Sequence, residues 1–154
     1  MNTNRNDVEE LVYESCMLLD QKNFTGFMDI CDKDFAYKLT AWSPEIRNEM
    51  TWLDHGRAEM EDLFKTLPKH NTDGSPLTRN AVVYKVKMDA AGQRAEVISS
   101  LQIFKTAANG GLTQLFAVGK YHDTVSLEGG HPRLLARHVK LDTRDLGWGH
   151  HIPF

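Results

Sequence analysis

Apolar residues recur at three- and four-residue intervals early in the chain and at every second position later, so helices are expected first and strands afterwards. Val8, Leu11, Val12, Ser15, Leu18 and Leu19 form one stripe, with Glu9, Glu10, Glu14 and Asp20 mainly between them. This predicts an amphipathic helix capped by Asn6 or Asp7. A short helical piece follows over Phe24 to Cys31, with Phe27, Met28 and Cys31 on one face. The period then switches to two, as Phe35, Tyr37 and Leu39 alternate with Ala36, Lys38 and Thr40 in a strand. Ser43-Pro44-Glu45-Ile46 has the residues of a helix start, and beyond it Met60, Leu63, Phe64 and Leu67 trace a second stripe that stops at Pro68.

The polar stretch from Lys69 to Pro76, with its Asp73-Gly74 turn signal, divides a helical half from a β half without being long enough to separate two domains. Four strands are expected, at Asn80 to Met88 (Val82, Tyr84, Val86 and Met88 on one face), Arg94 to Thr106, Leu112 to Leu127 and Arg133 to Leu141. Glycine-bearing turns lie between them, which makes a long antiparallel meander. Helices gathered at one end of the sequence and hairpins at the other imply an α+β fold, in one domain spanning 1–154. Strands this long must twist and curl, so the sheet is expected to wrap the N-terminal helices as a cone whose mouth is either open to a ligand or plugged by side chains.

Composition narrows the partners more than the fold. The 154 residues are 41% apolar and 25% charged, as in ordinary globular proteins, and the net charge is −3. Such a chain has no general attraction for nucleic acid or anionic lipid, which leaves a small ligand or another protein. No run approaches the roughly 18 apolar residues of a membrane span, and the polar start lacks the regions of a signal peptide, so a cytoplasmic protein is expected. Cys16 and Cys31 are expected as buried, reduced thiols in helical segments.

Local chemical motifs are missing. Cys16 is followed by Met17-Leu18 and Cys31 by Asp32-Lys33, so neither has a histidine at iron–sulfur ligand spacing. A phosphate-binding glycine loop, a Gly-x-Ser-x-Gly elbow and a His-Glu-x-x-His helix are also absent. The histidines to weigh are His55, His70, His122, His131, His138, His150 and His151. On the strand Gly119-Lys120-Tyr121-His122-Asp123, alternation places Tyr121 and Asp123 on one face and His122 on the other. An acid beside a phenol inside a cone could move protons, but packing and strand-end hydrogen bonding explain the same residues and are favoured. In the last strand Leu135, Arg137, Val139 and Leu141 share a face opposite Leu134, Ala136, His138 and Lys140. A buried arginine needs a carboxylate, and Asp123 on the preceding hairpin arm is the expected partner, as a structural ion pair or as an anion clamp.

Chain ends are usually polar, yet this one carries Leu146, Trp148, Ile152 and Phe154. They must dock on their own subunit or on another, and the second is favoured because interfaces enrich aromatic residues and arginine. Trp42, Met50, Trp52 and Met60 add large apolar groups that a monomer has little reason to expose. The expected subunit interface comprises Trp52, Asp54, Arg57, Arg144, Asp145, Trp148, His150, His151 and Phe154.

The N-terminal helix pair, Glu49 to His55 as a loop running into a helix, the Gly119 to Asp123 strand, and Leu134 to Asp142 before a tail ending Ile152-Pro153-Phe154 together resemble the small (β) subunits of ring-hydroxylating oxygenases. Thr51 to His55, Ser75 to Arg79 and Leu141 to Arg144 are similar to the branch that contains methanesulfonate monooxygenase small subunits. The resemblance implies a fold of the nuclear-transport-factor-2 and ketosteroid-isomerase type, and assembly with a catalytic α subunit, commonly three of each. It also implies that a Rieske [2Fe-2S] cluster, a mononuclear Fe(II) and the substrate pocket lie on α, fed from NADH through a reductase and ferredoxin. No catalytic, cofactor or metal residue is then expected on this chain. The alternatives are a stand-alone isomerase or dehydratase using an interior Asp or His, since one fold serves several functions, and a binding or dimerisation module.

Overall fold

The structure, a computed structural model, describes residues 3–70, 73–147 and 153–154, with the side chains of 69 and 70 left aside. Helices α1 (Arg5–Asp20) and α2 (Phe24–Asp29) precede a hairpin of β1 (Cys31–Ser43) and β2 (Asn48–Gly56). Helix α3 (Arg57–His70) follows, and then β3 (Leu77–Met88), β4 (Arg94–Thr106), β5 (Thr113–Ser126) and β6 (Arg133–Leu141). The strands form one six-stranded sheet in the order β2-β1-β6-β5-β4-β3. All neighbours are antiparallel except β1 and β6, which run parallel and join the N-terminal hairpin to the meander. The curved sheet packs its inner face on the helices, and the core lies between them. The α+β cone expected from the patterning is what forms.

Helix α1 starts earlier than expected. Asn4, not Asn6 or Asp7, is the cap: its side chain accepts from the Asp7 amide at 3.1 Å while the Asp7 carboxylate accepts from the Asn4 amide at 3.0 Å. This reciprocal box satisfies two otherwise unpaired amides at once. Helix α2 ends at Asp29, so Cys31 opens β1 rather than closing a helix.

The helix start expected at Ser43-Pro44-Glu45-Ile46 is a hairpin turn, and the loop expected over Glu49 to His55 is strand β2. Pro and a capping Ser suit a turn as well as a helix, and pairing along β1 decides between them. Helix α3 opens at Arg57 and runs past Pro68 to His70. Met60 is buried in the core, as its place on the apolar stripe predicts, and so is not among the apolar groups offered at the surface.

Two bulges alter which residues share a face. In β3 the register shifts between Val83 and Lys85, so Val82 and Tyr84 point outward while Val86 and Met88 turn toward the core. In β6 the pairing skips Leu135, and Leu134 joins the buried face with Arg137, Val139 and Leu141. At Gly119 a Cβ would collide with the backbone of Lys140 and Leu141, so only glycine admits the close approach of β5 and β6 there.

Candidate functional site

The cone's interior is where related architectures could do chemistry, and here it is filled by side chains of the chain itself. Tyr37 and Tyr121 project from β1 and β5, Phe27 and Phe35 meet edge to face at 6.0 Å, and all four are buried. Asp123 on β5 and Arg137 on β6 are directly opposed in register, and both side chains are 0% exposed. Arg137 Nε and Nη2 donate to the two Asp123 oxygens at 2.9 and 3.1 Å. Nη2 also donates to Ser15 Oγ at 2.8 Å, and the guanidinium lies 3.8 Å from the Tyr121 ring centroid. Burial, the largest single influence, would lower the Arg137 pKa, but the Asp123 charge and hydrogen bonding, together with Tyr121 and Cys16, outweigh it and raise it.

A second interior pair escaped the sequence reading. Arg79, inward on β3, donates from Nη1 to Asp20 at 2.8 Å and from Nη2 to the Pro153 carbonyl at 2.9 Å. Its signal was its alternation with Leu77, Ala81 and Val83, and the strand had been started too late to include it. Beside it the Phe154 amide donates to the Tyr37 hydroxyl at 2.9 Å, and that hydroxyl donates to the Phe154 carbonyl at 3.0 Å. Phe154 is 0% exposed and meets Phe116 edge-on at 6.1 Å. The end of the tail is therefore a plug in its own cone. Its expected place at a subunit interface is corrected, because a side chain sealed inside one subunit has no surface left for another.

Burial pushes the phenols of Tyr37 and Tyr121 well above their ordinary value, the Cys16 thiol upward, and the Cys31 thiol up to about 12. Both cysteines are free, and as protonated thiols they are poor nucleophiles. None of these groups is poised for proton transfer near neutral pH.

The other expected residues scatter. Trp52 is 46% exposed and Asp54 lies exposed opposite Lys38. Arg57 is spent within the chain, donating to the carbonyl of Met28 in the last turn of α2 and to those of Cys31 and Asp32 just beyond it. Arg144 makes a two-pronged pair with Glu45, which holds that carboxyl down at about 2. Asp145 accepts from the Gly147 amide. His122 and His138 face outward, opposite each other, and His55 bonds Glu59 on the surface. Trp148, His150, His151 and Ile152 lie outside the described residues, as does the His70 side chain. Among the described residues no three His, Cys, Asp or Glu side chains gather as a metal ligand set.

A plugged α+β cone with an occupied interior ion pair has clear relatives. Residues 14–147 match the model of the ring hydroxylating beta subunit. The chain is 37% identical over 153 residues to the methanesulfonate monooxygenase hydroxylase subunit beta of Methylosulfonomonas methylovora, covering 95% of this chain and 84% of that one. It is 31% identical over 146 residues to the 2-aminobenzenesulfonate 2,3-dioxygenase subunit beta of an Alcaligenes species, covering 95% and 96%. Among solved structures, a chain from Novosphingobium aromaticivorans described as the beta subunit of an aromatic-ring-hydroxylating dioxygenase superposes with a TM-score of 0.80 at 20% identity, over 97% and 96% of the two chains. A ketosteroid isomerase-like protein from Erwinia carotovora atroseptica shares the fold at a TM-score of 0.63 and 10% identity, over 94% and 100%. This chain belongs to the ring-hydroxylating beta subunit family.

Proposed function

We propose that the chain is the assembly subunit of a Rieske non-haem iron oxygenase and takes no direct part in oxygen chemistry. The observation that carries this reading is the state of Asp123. It is the interior acid best placed for catalysis, and both its oxygens are bound by Arg137 in a cone already filled by aromatic side chains. A general base must reach its substrate, and this one is walled off. That geometry also disfavours the isomerase or dehydratase alternative.

In this reading a catalytic α subunit holds the Rieske [2Fe-2S] cluster, the mononuclear Fe(II) and the substrate pocket. A ferredoxin and reductase supply its electrons, and three copies of each subunit assemble in the cytoplasm. Residues 1–154 act as one domain, and the Asp123–Arg137 pair is structural. Trp52 and Asp54 on β2, with Arg144 and Asp145 after β6, lie on the surface offered to other subunits, along with exposed Trp42 and Met50. Trp148, His150 and His151 are assigned there from sequence alone. Both named relatives belong to oxygenases of sulfonates, which supports a sulfonate as the substrate of the assembled enzyme.

Co-expression with and without a large subunit, followed by iron analysis and sulfonate-dependent oxygen uptake, tests the reading. Iron and turnover are expected only in the two-subunit complex. A Rieske absorption band in the pure small chain would overturn it.

A further inference from the structure

Arg137 and Arg79 both point into the cone, and each turns the same edge of its guanidinium to a partner there. On Arg137 that edge is full, with Nε and Nη2 donating to the two oxygens of Asp123 at 2.9 and 3.1 Å. On Arg79 it is half filled. Asp20 holds Nη1 and the backbone amide, and Nη2 donates to the Pro153 carbonyl at 2.9 Å. Nε, in a side chain only 1% exposed, has no partner among the described residues. A buried donor left unpaired is costly, so its retention marks a place shaped for a group that the chain does not itself supply. One carbonyl oxygen fills one prong of this fork; a two-oxygen anion fills both, as Asp123 does on Arg137.

The surroundings have the same character. The Tyr37 hydroxyl is turned to the tail end, donating to the Phe154 carbonyl and accepting from its amide. Ser99 Oγ and the Tyr121 hydroxyl, opposite each other in register, and Arg137 Nη1 are also buried without a partner among the described residues. Every one of these atoms can donate. Asp20 is 26% exposed and partly screened by water, whereas the Arg79 cation is enclosed, so the interior retains an attraction for negative charge. The Phe154 ring completes the outline. It rests edge-on against Phe116, which is itself only partly buried, so this corner of the cone lies close to the surface.

We propose that the Arg79 corner of the cone is a binding site for a small arylalkyl carboxylate, its two oxygens on Nε and Nη2 of Arg79 beside the Tyr37 hydroxyl and its ring against Phe116, and that Pro153 and Phe154 occupy this site as a built-in competitor. The site binds without transforming its ligand, since no group around it is poised for proton transfer. A tethered competitor acts at high effective concentration, and the apparent affinity for a free ligand is the intrinsic affinity scaled by the fraction of molecules whose tail end has withdrawn.

Calorimetric titration of the full chain with hydrocinnamate, which has the carbonyl-to-ring spacing of Phe154, tests this. Wild type is expected to bind weakly, and Phe154→Ala, which empties the place of the ring, at least about tenfold more tightly. Adding Arg79→Lys to that variant keeps a cation beside Asp20 but removes the fork, and should weaken binding by about tenfold or more. Replacing the acid with neutral hydrocinnamamide should do the same. Toluene is the control, because a merely apolar cavity left by a lost ring takes a neutral aromatic as readily. Circular dichroism checks folding, and Phe154→Leu, the milder truncation, serves in place of an alanine variant that does not fold. A folded Phe154 variant that binds hydrocinnamate no better than wild type would overturn the proposal. So would acid, amide and toluene binding alike, or an affinity indifferent to Arg79→Lys.

Discussion

Replacing Asp123 by Asn leaves the Arg137 cation buried without its counter-charge. Both side chains are fully enclosed, so solvent cannot screen the loss. Breaking one partner of such a pair costs about 3–5 kcal/mol. For a chain of this size each kcal/mol lowers the melting temperature by about 2–4 °C, which gives an expected fall of about 6–20 °C. Arg137→Met should cost a similar amount, because it leaves the Asp123 carboxylate buried without its counter-charge. The double variant Asp123→Leu/Arg137→Met should recover most of the loss, because removing both charges also removes their desolvation cost. It should fall short of wild type by the Ser15 hydrogen bond and the stacking on Tyr121. Thermal melts of the isolated subunit measure these costs, and turnover per intact complex measures function. A single variant that loses under about 1 kcal/mol would show the pair to be wet. One that assembles normally yet loses turnover by about a hundredfold would place the pair in catalysis and refute the structural assignment.

Deleting Pro153 and Phe154 removes the plug and the acceptor of Arg79 Nη2, so a loss of about 3–5 kcal/mol is expected, read as a lower urea midpoint. An unchanged midpoint would mean that the tail is held elsewhere. The pH response has a definite sign. Burial first, then Lys140 and Lys120, lower His122 against the pull of Asp123 and Glu49; burial, Lys140, Lys38 and His122 lower His138 against Glu49. The unfolded chain therefore binds protons more readily than the folded one. Stability should be full above about pH 6.5, the ordinary histidine value, and fall as pH drops through the lower folded values. Melting curves between pH 8 and 5 should show this fall, reduced in a His122→Asn/His138→Asn variant; an equal fall in both would assign it to other groups.

The sequence made the interior pair legible because it needed only strand alternation and the cost of a lone buried charge. Asp123 and Arg137 were both on long, regular strands, where parity is reliable. Arg79 was missed because the strand was started at Asn80 instead of Leu77, although the same argument applied to it. The bulges were invisible for a physical reason: one extra residue in β3 or β6 flips every side chain beyond it, and nothing in Val82-Val83-Tyr84 or Leu134-Leu135-Ala136 marks where the insertion falls. Ser43-Pro44-Glu45 misled because local turn and helix-start chemistry coincide, and the deciding contact, β1 with β2, is tertiary. Of the tail's apolar residues, Leu146 and Phe154 are buried, as their type announced. What they could not announce was the host, since Phe154 is held by Tyr37, 117 positions away in the chain.

The parallel pairing of β1 with β6 also sets a condition on biosynthesis. Tyr37 pairs in register with Arg137, so β1 cannot acquire its inner neighbour until about 100 more residues have been made. At synthesis rates of about 5–20 residues per second, one edge of a long apolar strand stays without its partner for about 5–20 s on every nascent chain. Strand edges left unpaired invite pairing with other chains. The joint that closes this sheet is thus also the point at which a growing chain is most open to aggregation, and slower translation of the C-terminal half would lengthen that exposure.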